Sequence, residues 1–365
     1  MAKTPERKST RKAGHRRTRV TRSVSDTGPV TLAEARALAQ AKQPARARQR
    51  TAAAAASPAT VGAERERLAA QRLAEIEQRE REYAATMAIM KERRVKLAPR
   101  KGASGPRRRA AGAPTASFVP LQIFAEGDSW FDYPVPLFGG GIIPRLEDRL
   151  GVPILNLAQA GDEVRYMLGV EQRKLIAKHL KKGCPAGGAW DVLLFSGGGN
   201  DIVDNPMALW VQDWDPSQPP AAHVHPARFN AALALVRAGY EDLIELRNRL
   251  SPTTQLVFHG YDFAIPDGRG ICHLGPWLKP TFDLRKFPGR ADAFAVVQAM
   301  LQQFATMLTT LASQPGVTFI NGQGTLAPKK SSWHNELHPS QAGFTTFAGI
   351  FHTQLRALFP GRVQP

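Results

Sequence analysis

Cysteine is nearly missing from this chain: Cys184 and Cys272 are the only two among 365 residues. Two thiols cannot build a disulfide framework. They fit ordinary thiols in a reducing compartment, with a single bridge as the alternative. No run of about 18 consecutive apolar residues occurs, so no membrane span is expected. The N-terminus has charge with no apolar segment behind it, which argues against a secretory signal and leaves a cytoplasmic location as the expectation. Acidic residues run short in one region only. Residues 1–116 carry 28 Lys and Arg against 10 Asp and Glu, whereas residues 117–365 carry 21 of each. The whole net charge of +18 therefore sits in the N-terminal third. Any attraction to a polyanion belongs to that third, and the chemistry has to be sought elsewhere.

Residues 1–62 are Arg, Lys, Ala, Thr, Ser and Pro with few large apolar side chains. Such a segment buries too little surface to offset its ordering entropy and reads as a basic, largely disordered arm. A short helix around Leu32–Ala41 would be marginal alone. The run Arg11–Arg22 suits contact with nucleic acid or an anionic surface, and equally a solubilising tail. Over residues 63–98 the character changes. Ala69, Ile76, Tyr83, Met90 and Leu97 recur every seven residues, Leu73 and Met87 fill the partner seam, and Glu75–Arg79 and Glu77–Arg81 are helix-supporting pairs. This is a charged amphipathic helix, either one seam of a coiled coil that would make an oligomer or a lone helix docked on the main domain. Residues 99–116, with Arg107, Arg108 and Arg109 among Gly, Ala and Pro, read as a basic linker.

Residues 117–365 read as one folded domain in which strands alternate with helices. Strands are expected at Leu121–Ala125, Val152–Leu157, Trp190–Phe195, Gln255–His259 and Val317–Asn321. Helices are expected at Ile143–Leu150, Glu163–Lys182, Arg228–Leu250, Asp292–Ala312 and Ala342–Leu358. The pattern predicts an α/β fold, a three-layer α/β/α sandwich around about five parallel strands. Two Pro-rich excursions, Val203–Pro226 and Ala264–Pro288, interrupt it.

The strand ends carry the chemistry. Leu121 to Trp130 is an apolar run ending at Gly127-Asp128-Ser129, Asn156 to Asp162 holds Gly161, Gly198-Gly199-Asn200-Asp201 follows the third strand, and Trp333 to Ser340 precedes the closing helix. Ligands in open α/β sheets bind outside the carboxyl ends of strands, where Ser129 offers a hydroxyl. Serine hydrolysis also needs a base and donors for the developing oxyanion. His338 offers the base, Gly161 an approachable backbone N–H, and Asn200 an amide NH₂. The glycine turn is no phosphate loop, since no Gly-Lys-Ser/Thr follows. His223 and His225 supply at most two metal ligands. Trp130, Tyr261 and Asp262 are candidates to line the substrate cleft, together with Phe131, Tyr133, Trp210, Trp214 and Trp277.

Four clusters in this order resemble the SGNH, or GDSL-type, hydrolase family over residues 118–358. The resemblance implies Ser129 as nucleophile. It implies an oxyanion hole from the N–H groups of Ser129 and Gly161 with the Asn200 side chain, and His338 as base and then acid. It implies hydrolysis of an acyl ester on a small molecule, glycan or lipid, with no metal or organic cofactor. One position departs from the pattern: Asn335 stands where the family has Asp, three residues before the histidine. An amide accepts a hydrogen bond from imidazole but gives no countercharge to imidazolium. A Ser129–His338 dyad, Glu336 as orienting group, or a carboxylate from elsewhere remain open. The rival class is a catalytically idle α/β binding protein carried to nucleic acid or another polyanion by the basic arm.

Overall fold

The computed structural model describes residues 28–42, 61–95, 118–133, 139–271 and 274–363. Expectations placed on the Arg11–Arg22 run, on the linker with Arg107–Arg109, on Leu97 and on Cys272 lie outside these residues. Cys184 is buried.

Five strands form one all-parallel sheet: β1 (Ile123–Gly127), β2 (Ile154–Asn156), β3 (Val192–Ser196), β4 (Gln255–His259) and β5 (Val317–Ile320), in the order β2-β1-β3-β4-β5. Helices cover both faces, so the central strands are buried throughout and read as unbroken apolar runs such as Val192–Phe195. The chain goes one way from β1 to β2 and the other way through β3, β4 and β5. That reversal opens a crevice between the carboxyl ends of β1 and β3, the usual ligand position in such sheets. Gly127 sits opposite Ser196 in that register. A Cβ on Gly127 would lie 2.6 Å from the Ser196 carbonyl oxygen, so only glycine lets β1 end this close to β3.

The helices of the body are α3 (Ile142–Leu150), α4 (Val164–Met167), α5 (Val170–Lys182), α6 (Pro226–Leu250), α7 (Lys279–Leu284), α8 (Arg290–Leu311) and α9 (Gln341–Leu358). The single helix expected over 163–182 is broken into α4 and α5 by Gly169, whose backbone is extended. Helix α8 is long and apolar enough to cross a membrane by length and composition. Its apolar face, including Val296, Met300, Phe304 and Leu308, is buried in the core.

Two helices precede the body, α1 (Leu32–Lys42) and α2 (Val61–Arg93). Helix α1 starts with a reciprocal cap: Glu34 N–H donates to Thr31 Oγ1 at 3.2 Å and Thr31 N–H to Glu34 Oε2 at 2.8 Å. Its apolar side, Leu32, Ala35 and Ala39, packs against α2 and joins the main core. The seven-residue stripe of α2 is divided between solvent and body. Ile76, Tyr83, Met87 and Met90 are buried in the domain core, while Leu73 is 60% exposed. The stripe is therefore a docking face for the body. Tyr83 lies against Trp190, with ring centroids 5.5 Å apart, and the Cys184 thiol donates to its hydroxyl. Burying four large side chains of this kind contributes about 6 kcal/mol or more to holding the helix in place.

Candidate active site

Ser129 lies in the turn just beyond β1. The turn is fastened by Asp128, whose Oδ1 accepts the Trp130 N–H at 3.0 Å and the Ser196 hydroxyl at 2.8 Å, and whose Oδ2 accepts the Tyr261 hydroxyl. Burial pushes the Asp128 carboxyl up to about 6 against these hydrogen bonds. Ser129 Oγ is 2.6 Å from His338 Nε2, although 209 residues separate the two in sequence. His338 is held by a closed turn. The His334 N–H donates to the His338 carbonyl at 2.8 Å, and α9 begins three residues later, with Ser340 capping the Gly343 N–H. The Tyr133 ring stacks on the imidazole at 4.5 Å, and burial pushes His338 down to about 3, with His334 nearby adding to the fall.

The imidazole is oriented by Asn335. Its Oδ1 accepts from His338 Nδ1 at 2.9 Å and also from the backbone N–H groups of Leu337 (3.0 Å) and His338 (2.9 Å). Its Nδ2 donates to the Tyr133 hydroxyl at 3.2 Å, and that hydroxyl lies 2.7 Å from His334 Nδ1. The two backbone donors decide the amide's orientation, because the flipped amide would set NH₂ against two N–H groups. With Oδ1 facing Nδ1, the imidazole carries its proton on Nδ1 and turns the Nε2 lone pair to Ser129. Asn335 thus supplies the tautomer that a carboxylate would supply, without the charge.

Glu336, expected as a possible orienting group, does something else. Its carboxylate is buried and accepts four backbone N–H groups, from Gly268 (2.9 Å), Trp277 (2.6 Å), Leu278 (2.7 Å) and Lys279 (3.0 Å). It organises the second excursion around the site. One residue of offset from Asn335 aims the side chain away from the imidazole, which the local sequence does not reveal. His334, the other histidine of this turn, meets Tyr133 instead of Ser129.

The expected oxyanion donors lie on three neighbouring loops, after β1, β2 and β3. Asn200 Nδ2 donates to the Asp162 carbonyl at 2.8 Å, which ties its loop to the turn carrying Gly161 and leaves its second amide hydrogen available. Among the described residues, the backbone N–H groups of Ser129 and Gly161 donate to no protein acceptor. The backbone at Gly161 itself calls for glycine. A Cβ there would meet nothing within 4 Å, but the backbone has φ +88°, which disfavours any side chain.

A cavity of about 40 Å³ opens beside Ser129, Asn200 and His338, with an apolar wall that includes Ile202, Val203, Ala264, Leu278, Met300 and Leu301. Trp130 and Tyr261 both border it. The Trp130 indole N–H is bonded to the Leu337 carbonyl at 3.2 Å and the Tyr261 hydroxyl to Asp128, so each is a fixed wall. Asp262 also borders the cavity; it is wholly buried and its carboxylate accepts the N–H groups of Phe263 (2.8 Å), Gly324 (2.6 Å) and Leu326 (2.6 Å), which anchors the loop after β5. Of the other aromatics, Trp277 is half-buried beside His338, at 5.9 Å between rings, while Phe131 and Trp210 are buried anchors. His223 sits flat against Trp214 and accepts the Asp215 N–H on Nε2, which removes it from metal binding. His259 is a core histidine whose Nε2 lies 2.7 Å from the Ser196 hydroxyl, and burial pushes it down to about 4. Tyr133 was not singled out for this role by sequence, since its partners are two hundred residues away.

A family model described as the GDSL-like lipase/acylhydrolase family matches residues 125–345. No curated protein matches the chain. Among solved structures the chain is similar to a lipase from a goat rumen metagenome, at 17% identity and TM-score 0.42, over 64% of this chain and 96% of that one. It is similar to an extracellular lipase of Streptomyces rimosus, at 15% identity and TM-score 0.40, over 64% and 99%. It is also similar to a carbohydrate esterase family 3 protein of Talaromyces cellulolyticus, at 10% identity and TM-score 0.40, over 65% and 97%.

Proposed function

The chain belongs to the GDSL-like lipase/acylhydrolase family and is a carboxylic ester hydrolase, and from that premise we propose that it cleaves short acyl esters through an acyl-enzyme on Ser129. His338 Nε2 takes the hydroxyl proton as Oγ attacks the acyl carbonyl. The negative charge that forms on the carbonyl oxygen is met by the N–H groups of Ser129 and Gly161 and by Asn200 Nδ2. The bond to the leaving alcohol then breaks, and His338 returns the proton to that oxygen. Water, activated by the same nitrogen, releases the acid and restores Ser129.

The observation that carries this reading is the relay from Ser129 Oγ through His338 to Asn335, 2.6 Å and 2.9 Å long, at the crevice between β1 and β3. The size of the apolar cavity supports a short acyl group. About 40 Å³ is room for roughly three waters, which suits an acetyl or propionyl group and not a long fatty chain. An O-acetylated sugar or another short-chain ester fits this better than a lipid. Ser129→Ala in pure protein should abolish p-nitrophenyl acetate hydrolysis and fluorophosphonate labelling. Unchanged rates would rule the reading out. Across a panel of p-nitrophenyl esters, kcat/KM should fall steeply beyond about four acyl carbons, since the pocket gains no further apolar contact.

A further inference from the structure

Helix α2 lies outside the segment that the family model matches, yet two of its arginines reach the loops around the nucleophile. Arg79 Nη1 donates to the carbonyls of Asn156 at 2.9 Å and Ala158 at 3.3 Å, and Nη2 approaches both Asp132 oxygens at 3.4 Å. Arg72 Nη2 donates to Asp162 Oδ2 at 3.1 Å. Asp132 is three residues past Ser129, and Asp162 follows Gly161. The turn bearing Gly161 is therefore gripped on both shoulders, by Arg79 at 156 and 158 and by Arg72 at 162.

The tip of that turn, residues 159–161, is exposed. No atom lies within 4 Å of where a Cβ on Gly161 would project. At its base the segment is tied to the body by the Leu157 N–H to the Ala125 carbonyl at 2.8 Å, the Gln159 N–H to the Gly127 carbonyl at 2.9 Å, Asn156 Nδ2 to the Phe131 carbonyl at 3.4 Å and Gln172 Nε2 to the Leu157 carbonyl at 3.4 Å, and at its far end by Asn200 Nδ2 to the Asp162 carbonyl at 2.8 Å. The arginines ride on a helix pinned by buried Ile76, Tyr83, Met87 and Met90. A guanidinium suits this work because its planar fork serves two carbonyls and a carboxylate at once. Burial raises the carboxyls of Asp132 and Asp162, and the adjacent arginines pull both back toward the charged form. Both ion pairs remain partly open to solvent, with side-chain exposures of 27% and 30% for Arg79–Asp132 and 28% and 13% for Arg72–Asp162. Pairs of this kind add little to stability. Their effect should appear in geometry.

We propose that Arg72 and Arg79 are positioning residues that hold the Gly161 N–H at the oxyanion, which makes the N-terminal helix a working part of the active site. The inference rests on the reading of Ser129 as nucleophile and Gly161 as donor. A misplacement near 1 Å in such a site costs up to about 100-fold in rate.

The test uses the full chain and p-nitrophenyl acetate. Arg79→Ala and Arg72→Ala should each lower kcat about tenfold or more, within that bound, with KM nearly unchanged and melting temperature little altered. Asp162→Asn, which breaks the Arg72 pair from the loop side and leaves α2 packing intact, should lower kcat in the same direction. Methylguanidinium added to Arg79→Ala should restore part of the lost rate, whereas Arg79→Lys should not. Arg81→Ala, on the solvent face of α2, serves as the control and should run at the wild-type rate. Wild-type kcat in Arg72→Ala, Arg79→Ala and Asp162→Asn would overturn the proposal. So would a loss of rate that tracks a fall in melting temperature and is not rescued by methylguanidinium. Ser129→Ala separates the two levels. If it keeps activity, the reading of the site fails. If it is inactive while the arginine variants run normally, the positioning role alone fails.

Discussion

At the scale of single residues, the departure at Asn335 has a definite physical meaning. In a triad the third group sets the tautomer of the base and stabilises the imidazolium. Asn335 does the first through its Oδ1 and cannot do the second. Burial in addition disfavours the charged ring, so the His338 value falls to about 3 from an ordinary histidine value near 6.5. The sign follows directly. The base works when neutral, so activity is lost as pH falls through the free-enzyme value, and a lowered value moves that acid limb to lower pH. We expect Asn335→Asp to place a carboxylate 3 Å or so from Nδ1, raise the imidazole value by about 1–3 units, and lift the plateau rate on the order of tenfold. A pH profile of kcat/KM for both proteins measures this. An acid limb that stays in place in the variant would show that the third group's charge does not reach the base.

At the scale of elements, the second excursion and the loop after β5 are each organised by a buried carboxylate. Glu336 gathers four backbone N–H groups from 268–279, and Asp262 gathers three, two of them from 324–326. Loops this irregular carry orphan backbone donors, and a buried carboxylate with its two oxygens can satisfy several at once. Glu336→Ala would strand four donors, and we expect a loss of about 3 kcal/mol or more in urea or thermal unfolding. The acid limb of the pH profile should stay where it is, because Glu336 does not touch the imidazole. A shifted limb with an unchanged melting temperature would reinstate it as the orienting group. Helix α1 makes the same point in reverse. Its Thr31-Leu32-Ala33-Glu34 cap is a local signal, but an eleven-residue helix persists here because α2 covers its apolar side.

At the scale of the whole molecule, the sheet places one buried carboxyl where no countercharge fully meets it. Glu126, on β1 just before the nucleophile turn, is wholly buried, with Gln172 donating to it. Burial pushes it up to about 8, with Gln172 and the more distant Arg72 pulling the other way. A group raised on folding binds its proton more tightly in the native state. Its contribution to stability is therefore complete below the unfolded value near 4.5 and is lost as pH rises through about 8. Glu126→Gln cannot ionise, so it should melt above the wild type at pH 8–9, with the gap closing toward pH 4.5. The gap should reach a few kcal/mol at its largest. Melting curves across that range would decide it, and a gap independent of pH would mean that Glu126 is charged in the fold.

The sequence by itself determined the sheet and its edge chemistry, because both are written locally. Apolar runs of strand length alternating with helical periods specify a parallel sheet, and Gly127-Asp128-Ser129, Gly199-Asn200-Asp201 and His338-Pro339 each stand where a strand ends or the closing helix begins. Glycine at 127 is legible as a glycine, but its reason, the Ser196 carbonyl on the next strand, is not. What the tertiary structure alone decided concerns direction and distance in sequence. Whether Asn335 or Glu336 faces His338 depends on how a short turn is closed against β-strand ends and a distant loop. Tyr133 joins His334 and Asn335 only because the first and last strand-end loops share one crevice. The seven-residue stripe of α2 announces an apolar face without saying what covers it. The fold turned that face inward and thereby laid Arg72 and Arg79 against the loops beside Ser129.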